Sequence, residues 1–163
     1  MMNTFLEWLH STTIAQAMTL YKWTWPTCES LHFIGMALLI GVVGALDLRM
    51  LGIAKNVSFE PLHRLLPWGI AGFVINLVTG ALFFAGDPFQ YVNNVAFYLK
   101  LIFIALAGIN VLVFYYGPFE KIKTLGPGQD APGSAKLIAA TSLFLWFGVM
   151  FWGRMLPFIG NAF

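Results

Sequence analysis

Residues 27–50, "TCESLHFIGMALLIGVVGALDLRM", decide the fold class of this chain. The centre of this segment is apolar, whereas Glu29 and His32 lie near one end and Asp47 and Arg49 near the other. Residues 30–46 contain no Asp, Glu, Lys or Arg. Because a helix of about 20 residues crosses the hydrocarbon core of a bilayer, the segment predicts a transmembrane helix with ionisable groups at both ends.

The composition of the whole chain agrees with a membrane location. Of its 163 residues, 59% are hydrophobic and 10% are charged, whereas soluble domains carry about 25% charged residues. The length predicts one transmembrane domain. The net charge of +2 is too small to indicate a nucleic-acid partner. Cys28 is the single cysteine, which excludes an intrachain disulfide.

Three further segments lack Asp, Glu, Lys and Arg, at residues 65–86, 101–119 and 137–153. Allowing for polar ends, we predict helices near 27–52, 62–86, 94–117 and 135–157. Backbone groups in lipid must be paired within the segment, so an all-α, up-down four-helix bundle follows. Small residues that would let the helices approach closely are Gly35, Gly41, Gly44, Gly72, Gly80 and Gly108. The Gly- and Pro-rich residues 118–134 predict an exposed, mobile loop.

Residues 1–26 are too polar to span a bilayer. Phe5, Trp8, Leu9 and Met18 could form an apolar stripe on a short amphipathic helix, which predicts a helix lying in the membrane interface. We therefore divide the chain into an N-terminal interfacial segment, 1–26, and a transmembrane domain, 27–163.

The distribution of basic residues predicts the orientation in the membrane. Loops on the cytoplasmic side carry more Lys and Arg than those on the other side. The two loops after the first and third helices hold six such residues, Arg49, Lys55, Arg64, Lys121, Lys123 and Lys136, against three, Lys22, Lys100 and Arg154, on the opposite side. We predict a bacterial inner-membrane protein with both termini on the periplasmic side.

The ionisable residues of the predicted helices fall into two layers. Charges at membrane depth are costly and tend to face partners inside the bundle. On the cytoplasmic side, Asp47 is expected to pair with Arg49 or Arg64, as a structural charge cluster that fixes the short turn. On the periplasmic side lie Glu29, His32, Lys100 and Arg154.

The periplasmic layer suggests a redox site, because Glu29 and His32 share a helix face at i and i+3. In this hypothesis His32 is the axial ligand of a b-type haem or the hydrogen-bond partner of a quinone, and Glu29 orients the imidazole. Lys100 and Arg154 would neutralise the haem propionates or the reduced quinone. Met150, or His32 of a second copy, is the candidate for the other axial ligand.

Two alternatives stay open for the same layer. Cys28, His32 and Met36 form one stripe on the first helix, and thiol, imidazole and thioether groups suit copper(I); Met150 could join them. In the other alternative these residues form a polar network without a cofactor, in a structural subunit. We expect a homo-oligomer or a subunit of a larger membrane complex in the lipid bilayer. No nucleotide motif, hydrolase triad or zinc spacing is found, so enzymatic activity stays undecided.

The stretches "WPTCESLHFIGMALLIGVVGALDLRMLG", "RLLPWGIAGFVINLVTGALFFAGDP" and "FYLKLIFIALAGINVLVF" resemble a family of small bacterial four-helix membrane proteins of unknown function. The similarity covers about residues 23–117 well, through Trp25-Pro26, the run from Glu29 to His32, Asp47-Leu48-Arg49, Arg64 and Leu99-Lys100. The shape is more distantly similar to copper-resistance membrane proteins and to cytochrome b561-like bundles. Those proteins supply several membrane histidines, whereas this chain has only His32 inside the predicted helices.

Overall fold

The structure, a computed structural model, describes residues 2–159, with side chains from residue 4 onward. These residues form helices and no strand. In chain order, the helices are α1 (Met2–His10), α2 (Thr13–Leu20), α3 (Thr24–Leu51), α4 (Phe59–His63), α5 (Leu66–Gly86), α6 (Pro88–Val92), α7 (Val95–Tyr116), α8 (Phe119–Ile122) and α9 (Gly133–Met155).

Four spans are long and apolar enough to cross a membrane: Thr24–Leu51, Phe59–Gly86, Val95–Tyr116 and Gly133–Met155. They confirm the predicted all-α, four-helix membrane bundle, and the predicted boundaries lie within about one turn of 3.6 residues of the observed ones. Residues 1–26, predicted as one interfacial helix, contain α1 and α2 instead. Ala15 and Met18 of α2 are buried, whereas Phe5 and Trp8 of α1 are exposed.

Local sequence signals explain where these helices begin and end. Helix α3 ends at Gly52, whose φ of 89° is in the left-handed region that glycine adopts without strain. Asp87 caps α6 by accepting a hydrogen bond from the Gln90 amide. Asn94 caps α7 through the Ala96 amide. In both caps, a side-chain oxygen accepts a hydrogen bond from a backbone N–H that has no partner within the helix.

The helices pack in the spatial order α5, α3, α9, α7, with α3 and α9 in the centre. The spans of α5 and α7 meet through side chains near their ends. At one end the rings of Phe84 and Phe97 stack with centroids 5.6 Å apart. At the other end His63 Nε2 lies 3.0 Å from the Tyr115 hydroxyl. Below, these ends are named the His32 end and the Arg49 end, after the side chains described next.

Glycines set the closest approach between helices. A Cβ added at Gly35 would lie 2.8 Å from the carbonyl oxygen of Gly72, and one at Gly72 would lie 2.5 Å from that of Gly35. This confirms the prediction for these two residues. Gly41, Gly44 and Gly108 make no such contact within the described chain, because a Cβ at any of them meets nothing within 4 Å.

A cluster of buried apolar side chains lies at the Arg49 end of the bundle. Its members are Val42, Leu46, Met50, Phe59, Ile122, Ala131, Ala135 and Ala139. Residues 118–134, expected to be an exposed mobile loop, contain α8 and contribute Ile122 and Ala131 to this cluster. Most of the loop is exposed as predicted, but it also carries apolar side chains that the bundle buries.

Candidate functional site

The centre of the candidate site is a hydrogen bond between α3 and α5. His32 Nδ1 lies 2.7 Å from Thr79 Oγ1, and the same hydroxyl donates to the carbonyl oxygen of Ile75 at 2.7 Å. A threonine hydroxyl has one hydrogen to donate. When that hydrogen goes to Ile75, the imidazole donates from Nδ1. In this arrangement His32 carries its proton on Nδ1 and a lone pair on Nε2, as metal-binding and hydrogen-bond-accepting histidines do.

Aromatic and small residues surround the half-buried imidazole. The Phe83 ring lies edge-on to it with centroids 5.7 Å apart. Trp25 in turn lies 5.0 Å from Phe83. A Cβ at Gly80 would lie 4.0 Å from His32 Cε1, so the ring rests beside a position of α5 that has no side chain. The ring orientation is thus fixed by one hydrogen bond and by packing.

Lys100 of α7 supplies a positive charge near the imidazole. Its ammonium interacts electrostatically with His32, and a Cβ at Gly153 of α9 would lie 3.5 Å from its Nζ. The side chain is half-buried. Within residues 4–159 no acidic side chain forms an ion pair with this ammonium. A cation at membrane depth without an anionic partner is costly, so the site favours a ligand that brings negative charge.

An apolar groove borders the site on the side of α2. It has a volume of about 450 Å³, and its lining includes Met18, Cys28, Leu31, Thr79 and Leu82. The Cys28 thiol is buried and donates to the carbonyl oxygen of Thr79 over 3.7 Å. Thr79 thus contacts His32 with its hydroxyl and Cys28 with its backbone, and it belongs to both the site and the groove.

Tyr91 of α6 lies at the rim of the same end, outside the spanning helices. Its ring is edge-on to Phe97 at 5.4 Å. Burial raises the pKa of the Tyr91 phenol to about 12, with smaller contributions from Asp87 and Cys28. The phenol therefore stays neutral at physiological pH and can serve there as a hydrogen-bond donor.

Other residues predicted for this site point elsewhere. Glu29 and Arg154 are exposed; the Arg154 guanidinium lies 5.2 Å from the Phe158 ring centre. Among residues 4–159, no ion pair joins Glu29 to Lys100 or Arg154. The structure therefore brings His32 and Lys100 together, but not all four members of the predicted layer.

Two predicted methionine ligands lie deeper in the bundle. The side chains of Asp47 of α3 and Ser142 of α9 lie next to each other, so these two residues are at the same level of the bundle. Counting from that contact at 1.5 Å per residue, His32 lies about 22 Å and Met150 about 12 Å toward the His32 end. This register does not bring Met150 opposite the imidazole. Met36, one turn after His32, is half-buried. No group of three His, Cys, Asp or Glu side chains suited to a metal occurs in the part described.

The predicted charge cluster at the Arg49 end is built differently. Arg49 is fully buried and donates to the backbone carbonyl oxygens of Gly126 at 2.8 Å, Gln129 at 3.1 Å and Val57. Arg64 pairs with Glu60 at 2.5 Å. Neither arginine pairs with Asp47, so the predicted pairing was wrong. Residues i and i+2 of a helix do not face each other, which separates Asp47 from Arg49.

Sequence reasoning missed Thr79 as the partner of His32. Thr79 bonds with His32, and the Asn110 side chain donates to the carbonyl oxygen of Ile138 at 3.2 Å. The missing signal was the register of α3 against α5, which the Gly35 and Gly72 contact defines. No protein family, curated protein or solved structure matches this chain.

Proposed function

We propose that this chain is a small membrane redox component that binds a quinone or a b-type haem at His32. One observation carries the proposal: Thr79 contacts His32 at Nδ1, and Nε2 has no hydrogen-bond partner within the described chain. Protein partners of this kind fix the orientation and the basicity of a ligating or hydrogen-bonding histidine.

A quinone suits the site better than a haem does. Its reduced form carries hydroxyl groups, one of which can donate to His32 Nε2. The half-buried Lys100 ammonium would stabilise negative charge that develops on a quinone oxygen during reduction. The apolar lining of the neighbouring groove suits a polyprenyl tail. A b-type haem would use the same Nε2 as an axial ligand and Lys100 for a propionate, and its second ligand would come from another copy of the chain.

Copper handling is a second candidate, and one contact favours it. The Cys28 thiol and the His32 imidazole both hydrogen-bond to Thr79, so two soft-metal ligands lie close to one residue. Met36 follows on the same stripe of α3. In this alternative a copper(I) ion would replace the hydrogen bond of the thiol and would use His32 Nε2.

We further propose a location in a bacterial inner membrane, with both termini on the periplasmic side, supported by the excess of basic residues at the Arg49 end. An oligomer or a larger membrane complex is the proposed partner. The open faces of α3 at Gly41 and of α7 at Gly108 support close approach of another helix. A purely structural subunit that uses these faces is the alternative without a cofactor. We also propose that this chain belongs to the family of small bacterial four-helix membrane proteins that its sequence resembles.

The first experiment identifies what the purified chain carries. Optical spectra of the oxidised and dithionite-reduced protein are recorded, quinones are extracted and identified, and copper is measured in the same sample. Bound quinone without a Soret band supports the quinone form of the proposal. A Soret band that sharpens on reduction supports the haem form, and stoichiometric copper in a colourless sample supports the alternative. A sample with none of these that also fails to bind added quinone contradicts the redox proposal.

The second experiment assigns the binding to His32. A benzoquinone or naphthoquinone with a short tail is titrated while tryptophan fluorescence is followed, with Trp25 as a reporter near the Phe83 ring. His32→Ala is expected to abolish binding. The matched control is His63→Ala, which removes an imidazole at the opposite end and should leave affinity unchanged. Equal affinity of the two variants would show that the site is elsewhere.

Thr79 provides a finer test of the tautomer. Thr79→Val removes the acceptor for His32 Nδ1 and keeps the side-chain shape. We expect affinity to fall about 10- to 100-fold, the usual effect of removing a group that orients a ligating histidine. Thr79→Ser keeps the hydroxyl and should retain most of the affinity. If both variants bind like the original chain, the hydrogen bond has no role in ligand binding.

A further inference from the structure

A second ionisable group lies inside the bundle, at the end opposite His32. Asp47 of α3 is 3% exposed. The Ser142 side chain of α9 lies beside the carboxyl group, and Oδ2 has no hydrogen-bond partner within the described chain. A buried carboxylate needs a cation or several donors to offset the loss of water.

Within the described chain, none of the cations at this end forms an ion pair with Asp47. Arg49 on the same helix donates to three backbone carbonyls, and its Nη1 has no hydrogen-bond partner in the described part. On α9, Lys136 pairs with Asp130, as does Lys55 of the α3–α4 turn. The remaining basic groups are Arg64, paired with Glu60; Lys123, paired with Glu120; His63, bonded to Tyr115; and Lys121, which is exposed. Helix α5, which also packs on α3, carries no ionisable residue.

We propose that Asp47 is a proton-binding site, a carboxylic acid held neutral between α3 and α9. The acid donates its hydroxyl hydrogen to Ser142 Oγ, and Oδ2 is then a carbonyl oxygen. An unpaired buried carbonyl costs far less than an unpaired buried charge. The ligand is a proton because Asp47 and Ser142 are too few oxygen donors for a metal cation, which takes about six.

This site is independent of the proposed redox function. Asp47 and His32 are 15 residues apart on α3, about 22 Å along the helix axis, and the two sites share no contact. Loss of the proton would place an unpaired negative charge in the contact between α3 and α9. We therefore expect ionisation of Asp47 to loosen this contact, which links proton binding to the packing of the two central helices.

The test uses the full chain in lipid nanodiscs and dicyclohexylcarbodiimide, an apolar reagent that modifies protonated carboxyl groups. The carboxyl O–H adds across the C=N bond of the reagent, and the adduct rearranges to a stable N-acylurea. Peptide mass spectrometry locates the modification. We expect modification of Asp47 at neutral pH, its loss as the pH is raised, and none at Asp130, which is exposed and paired with Lys136.

An infrared measurement keeps the proposal testable if Asp47 variants fail to fold. A protonated carboxylic acid has a C=O stretching band that a carboxylate lacks. The band should be present in the original chain and should shift in Ser142→Ala, because the hydrogen bond to the hydroxyl is lost. Asp47→Asn, where it folds, should remove the band. Absence of both the band and the modification would overturn the proposal, as would protection of Asp47 by sodium ions at constant pH, which would indicate a metal cation.

Discussion

The effect of disturbing the contact between Gly35 and Gly72 on helix separation and stability can be calculated from the structure. In Gly72→Ala, the new Cβ would lie 2.5 Å from the Gly35 carbonyl oxygen and 2.8 Å from the Leu39 amide nitrogen. Both are backbone atoms and cannot rotate away. The helices must separate by about 0.9 Å for the first contact to reach an ordinary 3.4 Å. Overpacking of this kind costs about 1–3 kcal/mol.

The same displacement reaches the candidate site. If α5 moves as a rigid body, the 2.7 Å between His32 Nδ1 and Thr79 Oγ1 lengthens to about 3.6 Å, which is no longer a hydrogen bond. We therefore expect Gly72→Ala to lower both the unfolding temperature and the affinity for a short-tail quinone. Thermal unfolding in detergent, with and without the quinone, measures the two effects together.

The chain offers matched controls for this prediction. Gly41→Ala on α3 and Gly108→Ala on α7 add the same methyl group where nothing lies within 4 Å. Alanine is the better helix former by up to about 1 kcal/mol, so these variants should be as stable as the original chain or slightly more stable. If Gly72→Ala unfolds and binds quinone like Gly41→Ala, the glycine contact does not set the distance between α3 and α5.

Two further predictions concern the Arg49 end. Arg49→Lys cannot reproduce the fork that binds Gly126 and Gln129. The free energy of unfolding should therefore fall by about 3 kcal/mol, from two charge-assisted hydrogen bonds at about 1.5 kcal/mol each. The exposed Arg64→Lys control should change it by less than about 1 kcal/mol, and equal losses would contradict the role of Arg49. The hydrogen bond from Lys136 holds the pKa of Asp130 below its ordinary 3.8. Because this pKa is lower in the folded chain, the contact between the two side chains stabilises the fold above pH 3.8. This stabilisation is lost as the pH falls through the pKa of the folded chain. NMR titration should show the Asp130 pKa rising in Lys136→Met, and an unchanged pKa would contradict this reading.

The four spans could be predicted from the sequence because lipid imposes a strict condition on the backbone. A segment without charges and long enough to cross the hydrocarbon core has to be helical. Gly52 marks the end of α3 and Asp87 marks the end of α5. The faces of those helices could not be predicted. Between His32 and Asp47, helix α3 is apolar on every side, so no amphipathic stripe shows that Gly35 faces α5 while Gly41 does not.

The interactions of Arg49 illustrate a second limit. Sequence proximity suggested Asp47 as its partner, but two of the three carbonyl oxygens that it binds belong to residues 77 and 80 positions further along the chain. Backbone carbonyls occur at every residue and leave no signature in the sequence. The ion pair between Glu60 and Arg64 is different, since it has the i, i+4 spacing that helices favour and could have been predicted.

The bond between His32 and Thr79 lies between these two cases. Gly72 and Thr79 are seven residues apart and share one face of α5, and Gly35 and His32, three apart, share one face of α3. Side chains of a helix lean toward its N-terminus, so the imidazole reaches past the level of its own backbone toward Thr79. Once the contact of Gly35 with Gly72 is known, the partner of His32 follows from helix geometry. The glycine contact and the imidazole therefore belong to one structural unit, and a substitution that moves α5 changes the site without altering any residue that touches the ligand.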